Sequence, residues 1–171
     1  MPKNTSVDQP RAAGKYDFKN FSTPERSLTE EVADNFGETT VVTRGHIDDA
    51  AKYVYRNGQC LALAAAVSKA TGWPIVLRIS DEDGTPFLHH AWVEDPNGDL
   101  IDIYGLNDRE AVDDQYDGSY ERTRMVTIDE LPDLFVELAD TIPAQDHDTA
   151  ASFVDPVMSA WAEDAAEVAA R

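Results

Sequence analysis

The sequence predicts an α+β fold in which a buried helix carrying Cys60 packs against a small antiparallel sheet. Residues 60–71 are mostly Ala, Leu and Val and are followed by a glycine, a pattern typical of a helix buried on nearly all sides. Strand-like stretches follow at 75–79, 87–94 and 99–104. Because short turn sequences separate these stretches, we expect antiparallel pairing between them.

The domain organisation follows from length and local composition. A chain of 171 residues suits one ordinary domain. Residues 1–25 mix polar residues, Pro and Gly without a sustained apolar period, so we expect a flexible N-terminal arm there and a single domain over 26–171. The start lacks the apolar run of a signal peptide, and no stretch reaches the roughly 18 apolar residues of a membrane span. We therefore expect a cytoplasmic protein that does not enter the membrane.

Three further elements are expected before Cys60. Ser27 at an N-cap position and Glu30 three residues later predict a short helix over 27–37. The β-branched stretch 39–43 predicts a strand. Residues 46–55 place apolar side chains on one side at helical spacing, which predicts an amphipathic helix.

The part of the chain after the sheet is more polar. The acidic stretch 107–121 predicts a long surface loop, which could serve as a lid or could have no function. Residues 126–139 indicate a short strand element and a helix, and residues 148–170 contain a second amphipathic helix. Three apolar residues at helical spacing mark the core side of that helix: Phe153, Val157 and Trp161.

The net charge of −19 bears on the class of partner. Such a charge repels the phosphate backbone, so we do not expect nucleic acid as a direct ligand. The acidity has two interpretations. It can reflect solubility, a salt-rich cytoplasm or an Asp-rich genome, or it can form a surface that attracts basic substrates or resembles a nucleic acid.

Cys60 is the only cysteine, so the chain has no internal disulfide. Gly58 and Gln59 break the preceding helix, which puts Cys60 in the first turn of the next one. Unpaired N–H groups at a helix start lower the pKa of a thiol and make it a better nucleophile. A cysteine in a buried helix can equally be an inert packing residue. Position alone therefore leaves both interpretations open.

Two adjacent histidines follow on the strand at 87–94. Side chains alternate between the faces of a strand, so His90, Trp92 and Glu94 should share one face and His89 should point to the other. Only one of the two histidines can then meet a given partner. Which one it meets depends on the register of the next hairpin.

The turn Asp95-Pro96-Asn97-Gly98 predicts that register. Pro suits the first central position of a type I turn and Gly suits the left-handed residue after it, which together predict a three-residue loop with a bulge. This loop pairs Asp95 with Asp99 and makes His90 a diagonal neighbour of Asp102, about 7–8 Å away between Cα atoms. A loop one residue longer or shorter would bring Asp102 to His89 instead.

Cys60, His90 and Asp102 together suit nucleophilic catalysis. The imidazole takes the thiol proton, the carboxylate fixes the imidazole tautomer, and a backbone N–H at the helix start stabilises the oxyanion. We expect Cys60 N–H to be that donor, with the Gln59 amide as a weaker candidate. Trp92 and Tyr104 are candidates to line a substrate cleft, or they are ordinary core residues.

Three sequence blocks resemble the transglutaminase-like superfamily of papain-like cysteine enzymes: G-Q-C ending at Cys60, H-A-W-V beginning at His90, and the following strand with Asp102. The resemblance covers about residues 46–105. It implies a papain/transglutaminase-like core with Cys60, His90 and Asp102 as the catalytic triad, acting on a peptide or protein amide without a cofactor. Leu61 stands where many transglutaminases have Trp, and the last block lacks the usual D-P continuation. Peptidase, deamidase and transglutaminase-type chemistry therefore all remain open.

Other interpretations of the same residues are weaker. Papain-like peptidases share this layout at a similar size, whereas arylamine N-acetyltransferases share the triad but are much longer. A metal site from Cys60, His89, His90 and Asp102 is not expected, because adjacent strand histidines point to opposite faces and no short chelating pair is present. The main alternative to an enzyme is a non-catalytic acidic binding or inhibitor protein on a papain-like scaffold.

Overall fold

The computed structural model describes residues 28–115 and 121–170, and these residues form an α+β fold. The N-terminal arm predicted for residues 1–25 lies outside the described residues. The strands are β1 (Thr29–Ala33), β2 (Thr39–Thr43), β3 (Ile75–Glu82), β4 (Thr85–Glu94), β5 (Leu100–Asp102), β6 (Gly105–Asn107) and β7 (Glu121–Val126). The helices are α1 (Asp49–Arg56), α2 (Cys60–Thr71), α3 (Arg109–Gln115), α4 (Leu131–Leu138), α5 (His147–Ala151) and α6 (Val154–Ala169).

The main sheet is small and antiparallel, with the strand order β6-β5-β4-β3-β7. Strands β1 and β2 form a separate hairpin. Strands β3 and β4 meet at a tight turn in which Asp83 and Gly84 have φ values of 51° and 81°. The expected antiparallel sheet is thus present, with β6 and β7 as additional edge strands.

Helix α2 lies in the main core, as its composition predicts. Most of its side chains are buried, and it packs mainly on β4 and α5. Gly72 ends it in the left-handed conformation at φ 76°, and its N–H donates to Ser68 O. The core residues of β3 and β4 that face it include Ile75, Leu77 and Val93.

The helix predicted over residues 27–37 is wrong, because β1 occupies this stretch. Each residue of β1 pairs with a residue of β2, and Val32 and Val42 are buried side chains of this hairpin. Asp34 shapes the connection by accepting hydrogen bonds from the N–H groups of Phe36 and Glu38. Strand pairing and burial therefore override the local helix signals.

The loop predicted over 107–121 is also wrong for the residues that the structure describes. It contains helix α3 and the first residue of β7, and residues 116–120 lie outside the described residues. Val112 of α3 packs on Val76, Trp92 and Leu100 and so covers the face of the sheet opposite α2. A single buried apolar residue in an otherwise acidic stretch gives too weak a period to reveal this helix.

The predicted strand 99–104 is shorter than expected. Strand β5 ends at Asp102, and a turn through Ile103 and Tyr104 leads into β6. Gly105 at φ 94° makes this reversal possible. Tyr104 therefore has no partner residue on β4, and β5 does not extend alongside His90.

The C-terminal residues form two helices instead of one. Phe153 is buried at the junction of α5 and α6, and Val157 is buried on α6. Trp161 packs edge-on against Trp73, with ring centroids 5.1 Å apart. Within residues 28–115 and 121–170, no helix combines the length and apolar character needed to span a bilayer.

Candidate active site

Cys60 is the first residue of α2, as the break at Gly58 predicts. Gly58 has φ 137°, and a Cβ there would lie 2.8 Å from the backbone nitrogen of Asn35. Only glycine fits this approach between the start of α2 and the β1–β2 connection. Cys60 is 5% exposed, and its N–H belongs to the first turn, whose N–H groups have no carbonyl partner within the helix.

The start of α2 is fixed by two glutamines. Gln145 Oε1 accepts from Ala62 N–H at 3.0 Å, and its amide donates to Gly58 O at 2.8 Å. Gln59 is fully buried and reaches across to two other segments. Its amide donates to Ala33 O at 2.8 Å and to Ala144 O at 2.9 Å, and its Oε1 accepts from Asp146 N–H at 2.9 Å.

These contacts contradict the expectation that the Gln59 amide helps to hold an oxyanion. Both amide hydrogens already donate to backbone carbonyls, so none is left for a substrate. Gln59 is a structural residue that ties the start of α2 to the end of β1 and to the segment before α5. Cys60 N–H remains the predicted oxyanion donor.

The hairpin register is the one predicted from the turn sequence. Val93 pairs with Ile101 and Glu94 with Leu100. Continued by one residue, this register puts Trp92 opposite Asp102. Asp95 N–H donates to Asp99 O at 2.9 Å, and Gly98 has φ 91°.

Asp95 fixes this turn. One carboxylate oxygen accepts from the N–H groups of Asn97 and Asp99, at 2.8 and 3.0 Å, and the other accepts from Trp161 Nε1 at 3.0 Å. Burial raises the pKa of Asp95, but these hydrogen bonds outweigh it and the net pKa is lowered. The turn is therefore tied to α6 as well as to its own backbone.

His89 is not the partner of Asp102. The pairing of β3 with β4 shifts between Arg78 opposite His90 and Ile79 opposite Leu88, so His89 is the extra residue of a β-bulge. Its Nε2 lies 2.8 Å from Ser80 Oγ, and its ring contacts Phe87. The predicted strict alternation of faces therefore fails at this residue, although the choice of His90 over His89 agrees with the geometry.

His90 and Asp102 form a buried hydrogen-bonded pair. His90 is 3% exposed, and its Nε2 lies 3.1 Å from Asp102 Oδ2. An ionised carboxylate can only accept, so Nε2 carries the proton. The other carboxylate oxygen, Oδ1, accepts from Tyr104 N–H at 2.9 Å and from Asn107 Nδ2 at 3.0 Å. Asp102 is thus held in one orientation toward the imidazole.

The second imidazole nitrogen, Nδ1, is buried and has no partner at normal hydrogen-bond distance among the described residues. Cys60 is nevertheless close enough to interact with the ring. Burial alone lowers the pKa of His90, but the interactions of its ring with Cys60 and with the Asp102 carboxylate together raise it to about 9. Burial also raises the pKa of Asp102, yet its hydrogen bonds, first that from His90, lower it overall. These interactions favour the imidazolium form of His90, which lies between Cys60 and the Asp102 carboxylate.

A cleft of about 240 Å³ opens beside this pair. Its walls are Arg56, His90, Trp92, Asp102, Tyr104, Asn107 and Val112. Trp92 is 3% exposed and packs edge-on against His90, with ring centroids 4.4 Å apart. Tyr104 is 47% exposed and forms part of the outer wall. Cys60 is buried and is not among the residues that line the cleft.

Sequence reasoning missed three residues of the cleft wall: Asn107, Arg56 and Val112, the last on α3. Asn107 lies on β6, at the start of the stretch 107–121 for which the sequence predicts a loop, so nothing in its sequence surroundings indicates that it faces Asp102. Arg56 lies four residues before Cys60 at the end of α1, and its guanidinium contacts the Tyr104 ring at 6.0 Å. Its closeness to the predicted nucleophile along the chain was the one available signal.

Comparison with protein-family models, with curated proteins and with solved structures gives no match. A function for this chain is therefore inferred from the geometry of Cys60, His90 and Asp102 and from the chemistry of the cleft.

Proposed function

We propose that this protein is a cysteine-nucleophile acyl-transfer enzyme that acts on amide carbonyls through a thioester at Cys60. The observation that carries the proposal is the position of the His90 ring. Its Nε2 is bonded to Asp102, while its other nitrogen is left for Cys60, and its pKa is raised to about 9 by both neighbours. A thiol, an imidazole and a carboxylate in this order form the machinery of thiol acyl transfer.

The reaction has two balanced steps. In the first, the Cys60 thiolate forms a C–S bond to the amide carbonyl carbon, the C–N bond breaks, and the His90 imidazolium gives its proton to the leaving amine. In the second, water or an amine attacks the thioester carbon, and His90 takes a proton from the attacking group. The C–S bond then breaks, the Cys60 thiolate is released, and the attacking group stays on the acyl carbon. Water gives hydrolysis or deamidation, and an amine gives transfer.

Each residue of the site then has a role in these steps. Cys60 is the nucleophile and His90 the acid and base, while Asp102 orients His90 and stabilises its cation. The oxyanion of the tetrahedral intermediate accepts a hydrogen bond from the Cys60 N–H at the start of α2. Trp92 packs against the His90 ring, and Tyr104 forms the outer wall that a substrate contacts.

The arrangement is the one that a papain/transglutaminase-like core implies. The cysteine begins a buried helix, the histidine lies on an antiparallel strand packed against that helix, and the acid lies on the next strand. We include membership of this superfamily in the proposal, with a peptide, isopeptide or glutamine amide as the substrate. The chemistry needs no cofactor, since the chain itself supplies nucleophile, acid and base.

Trapping of the acyl-enzyme tests the proposal. The protein is incubated with p-nitrophenyl acetate and then with peptide amides, and the intact mass is measured together with peptide mapping. We expect an acyl adduct on Cys60 that is absent in Cys60→Ala and forms at least about 100-fold more slowly in His90→Ala, as removal of an acid–base group predicts.

The alternative function, a non-catalytic binding protein on the same scaffold, predicts a different result for the adduct on Cys60. In that case either no adduct forms or the His90→Ala protein acylates as fast as the wild type. The rate in His90→Gln, which keeps a polar side chain of similar size, separates loss of the base from loss of packing.

A further inference from the structure

Arg56 differs from the other arginines of the described residues. Arg44, Arg78, Arg109, Arg122 and Arg124 each have a carboxylate oxygen within 4 Å. No described carboxylate lies within that distance of Arg56. In a chain with 33 Asp and Glu against 14 Lys and Arg, a missing partner at one arginine is unexpected.

The position of Arg56 is also special, because its side chain is exposed and forms part of the cleft beside His90 and Asp102. Lys52 lies one turn earlier on α1, and its Nζ is 5.7 Å from the centroid of the Tyr104 ring that Arg56 also contacts. Two cations therefore meet at one aromatic ring on the outer wall of the cleft.

The contacts of Arg56 leave its hydrogen-bonding capacity unused. An aromatic ring attracts the guanidinium but offers no lone pairs, so the N–H groups stay free for an acceptor. The last turn of a helix favours a cation through the helix dipole, which explains a basic residue at this place. It does not explain why none of the many carboxylates within residues 28–115 and 121–170 pairs with this cation.

We propose that Arg56, assisted by Lys52, binds a carboxylate of the substrate, so that the enzyme acts on amides that carry an acidic group close to the carbonyl. This inference rests on the proposed function, because it places the acid relative to the bond attacked by Cys60. The guanidinium fork matches a carboxylate in a bidentate manner. A monoanion is favoured over a phosphate dianion, because the net charge of −19 repels the dianion more strongly.

The inference changes the expectation drawn from charge alone. An acidic surface favours basic ligands in general, whereas a carboxylate bound at the Tyr104 side of the cleft lies close to Arg56 of the cleft wall and to the neighbouring Lys52. An acidic substrate group is therefore accepted at this one place, and the surrounding charge disfavours ligands with several negative groups.

Two alkylating reagents of matched size test the inference without knowledge of the natural substrate. Iodoacetate carries a carboxylate and iodoacetamide a neutral amide, and both react at Cys60, which is the only cysteine. We measure the ratio of the two rate constants. Arg56→Gln should lower the iodoacetate to iodoacetamide ratio about threefold to fivefold, the range of an exposed ion pair, and Arg56→Lys should retain part of it.

Arg122→Gln is the matched control, because Arg122 is paired with Asp81 on the sheet and lies outside the cleft. Its ratio should equal that of the wild type. The wild-type ratio should also fall as NaCl rises to about 0.5 M, since salt screens an exposed ion pair. An equal ratio in wild type and Arg56→Gln, at low salt, would overturn the inference.

A binding measurement tests carboxylate binding separately, because it does not need a reactive thiol. It therefore distinguishes failure of this inference from failure of the proposed function. In the Cys60→Ser protein, the Trp92 indole N–H resonance is followed by NMR while N-acetylaspartate amide or the neutral N-acetylasparagine amide is added. We expect a saturable shift with the aspartate compound alone, lost in the Cys60→Ser, Arg56→Gln double variant. Equal shifts with both compounds, or no shift with either, would contradict carboxylate binding.

Discussion

Asp102 is the residue on which the geometry of the site depends most. One oxygen accepts from His90, and the other accepts from the Tyr104 N–H and the Asn107 amide. Because both oxygens are engaged, the carboxylate is held toward the imidazole. Its charge, together with the interaction of the ring with Cys60, overcomes the burial that alone would lower the pKa of His90.

Asp102→Asn should lower the pKa of His90 from its value of about 9, because it removes a negative charge and the acceptor for Nε2. Titration of the imidazole C2–H by NMR measures this change. Asp99→Asn, on the same hairpin but without contact to His90, is the control and should leave the titration unchanged. An unaltered His90 titration in Asp102→Asn would show that the pair has no electrostatic role.

The same shift sets the sign of a pH effect on stability. The pKa of His90 rises from 6.5 to about 9 on folding, so the folded protein binds its proton more tightly. The contribution to the free energy of unfolding is complete below pH 6.5 and is lost as the pH rises toward 9. Urea unfolding at pH 6 and pH 9 should show a larger loss of stability in the wild type than in His90→Gln; equal losses would contradict the linkage.

At the scale of elements, the start of α2 places Cys60, the proposed nucleophile. Gly58 approaches the Asn35 backbone too closely for a side chain. Hydrogen bonds from Gln59 and Gln145 join the start of α2 to the end of β1 and to the segment before α5. At the other end, Gly72 also has positive φ, but its Cβ position faces open space. The two glycines that flank α2, Gly58 and Gly72, thus both need a positive φ but differ in the space around their Cβ positions.

Gly58→Ala and Gly72→Ala separate these effects. Gly72→Ala should cost about 1 kcal/mol, the strain of a left-handed alanine. Gly58→Ala should cost roughly 2–4 kcal/mol, because backbone atoms of Asn35 must also move. Urea unfolding measures both, and alkylation at a pH and temperature where both variants are folded should be slower in Gly58→Ala alone. Equal costs in the two variants would contradict the close approach.

The elements also show how far the sequence leads. Helix α2 and the register that joins His90 to Asp102 are predictable, because composition and a four-residue turn encode them locally. Other features are not predictable, because each depends on a partner elsewhere in the chain. Strand β1 needs β2, helix α3 packs on Val76 and Trp92, and Asn107 bonds to Asp102. The bulge at His89 likewise depends on the pairing with β3, which no local pattern reveals.

For the whole molecule, the dominant feature is charge. A net charge of −19 on 171 residues destabilises the compact state through self-repulsion. Part of it is relieved by ion pairs that join distant segments, such as Arg44 with Glu30 and Asp148. Surface pairs of this kind contribute little each, so the repulsion is only partly offset.

Added salt should therefore stabilise the protein. Between about 0.05 and 0.5 M NaCl the midpoint of urea unfolding should rise, because repulsion among many exposed carboxylates is screened more than a few ion pairs are weakened. KCl should act equally if screening is the cause. A midpoint that is constant or falls with salt would show that the ion pairs outweigh the repulsion.

The central claim is that His90 and Cys60 act as one reactive unit, and the pH dependence of thiol alkylation tests it most directly. Iodoacetamide is small enough for a thiol that is 5% exposed. We predict that the wild type is alkylated at an appreciable rate well below pH 8, where a free thiol with a pKa of about 8.5 is mostly protonated, and that His90→Ala loses this low-pH rate. A slow wild-type reaction with the profile of a free thiol, unchanged in His90→Ala, would contradict the account.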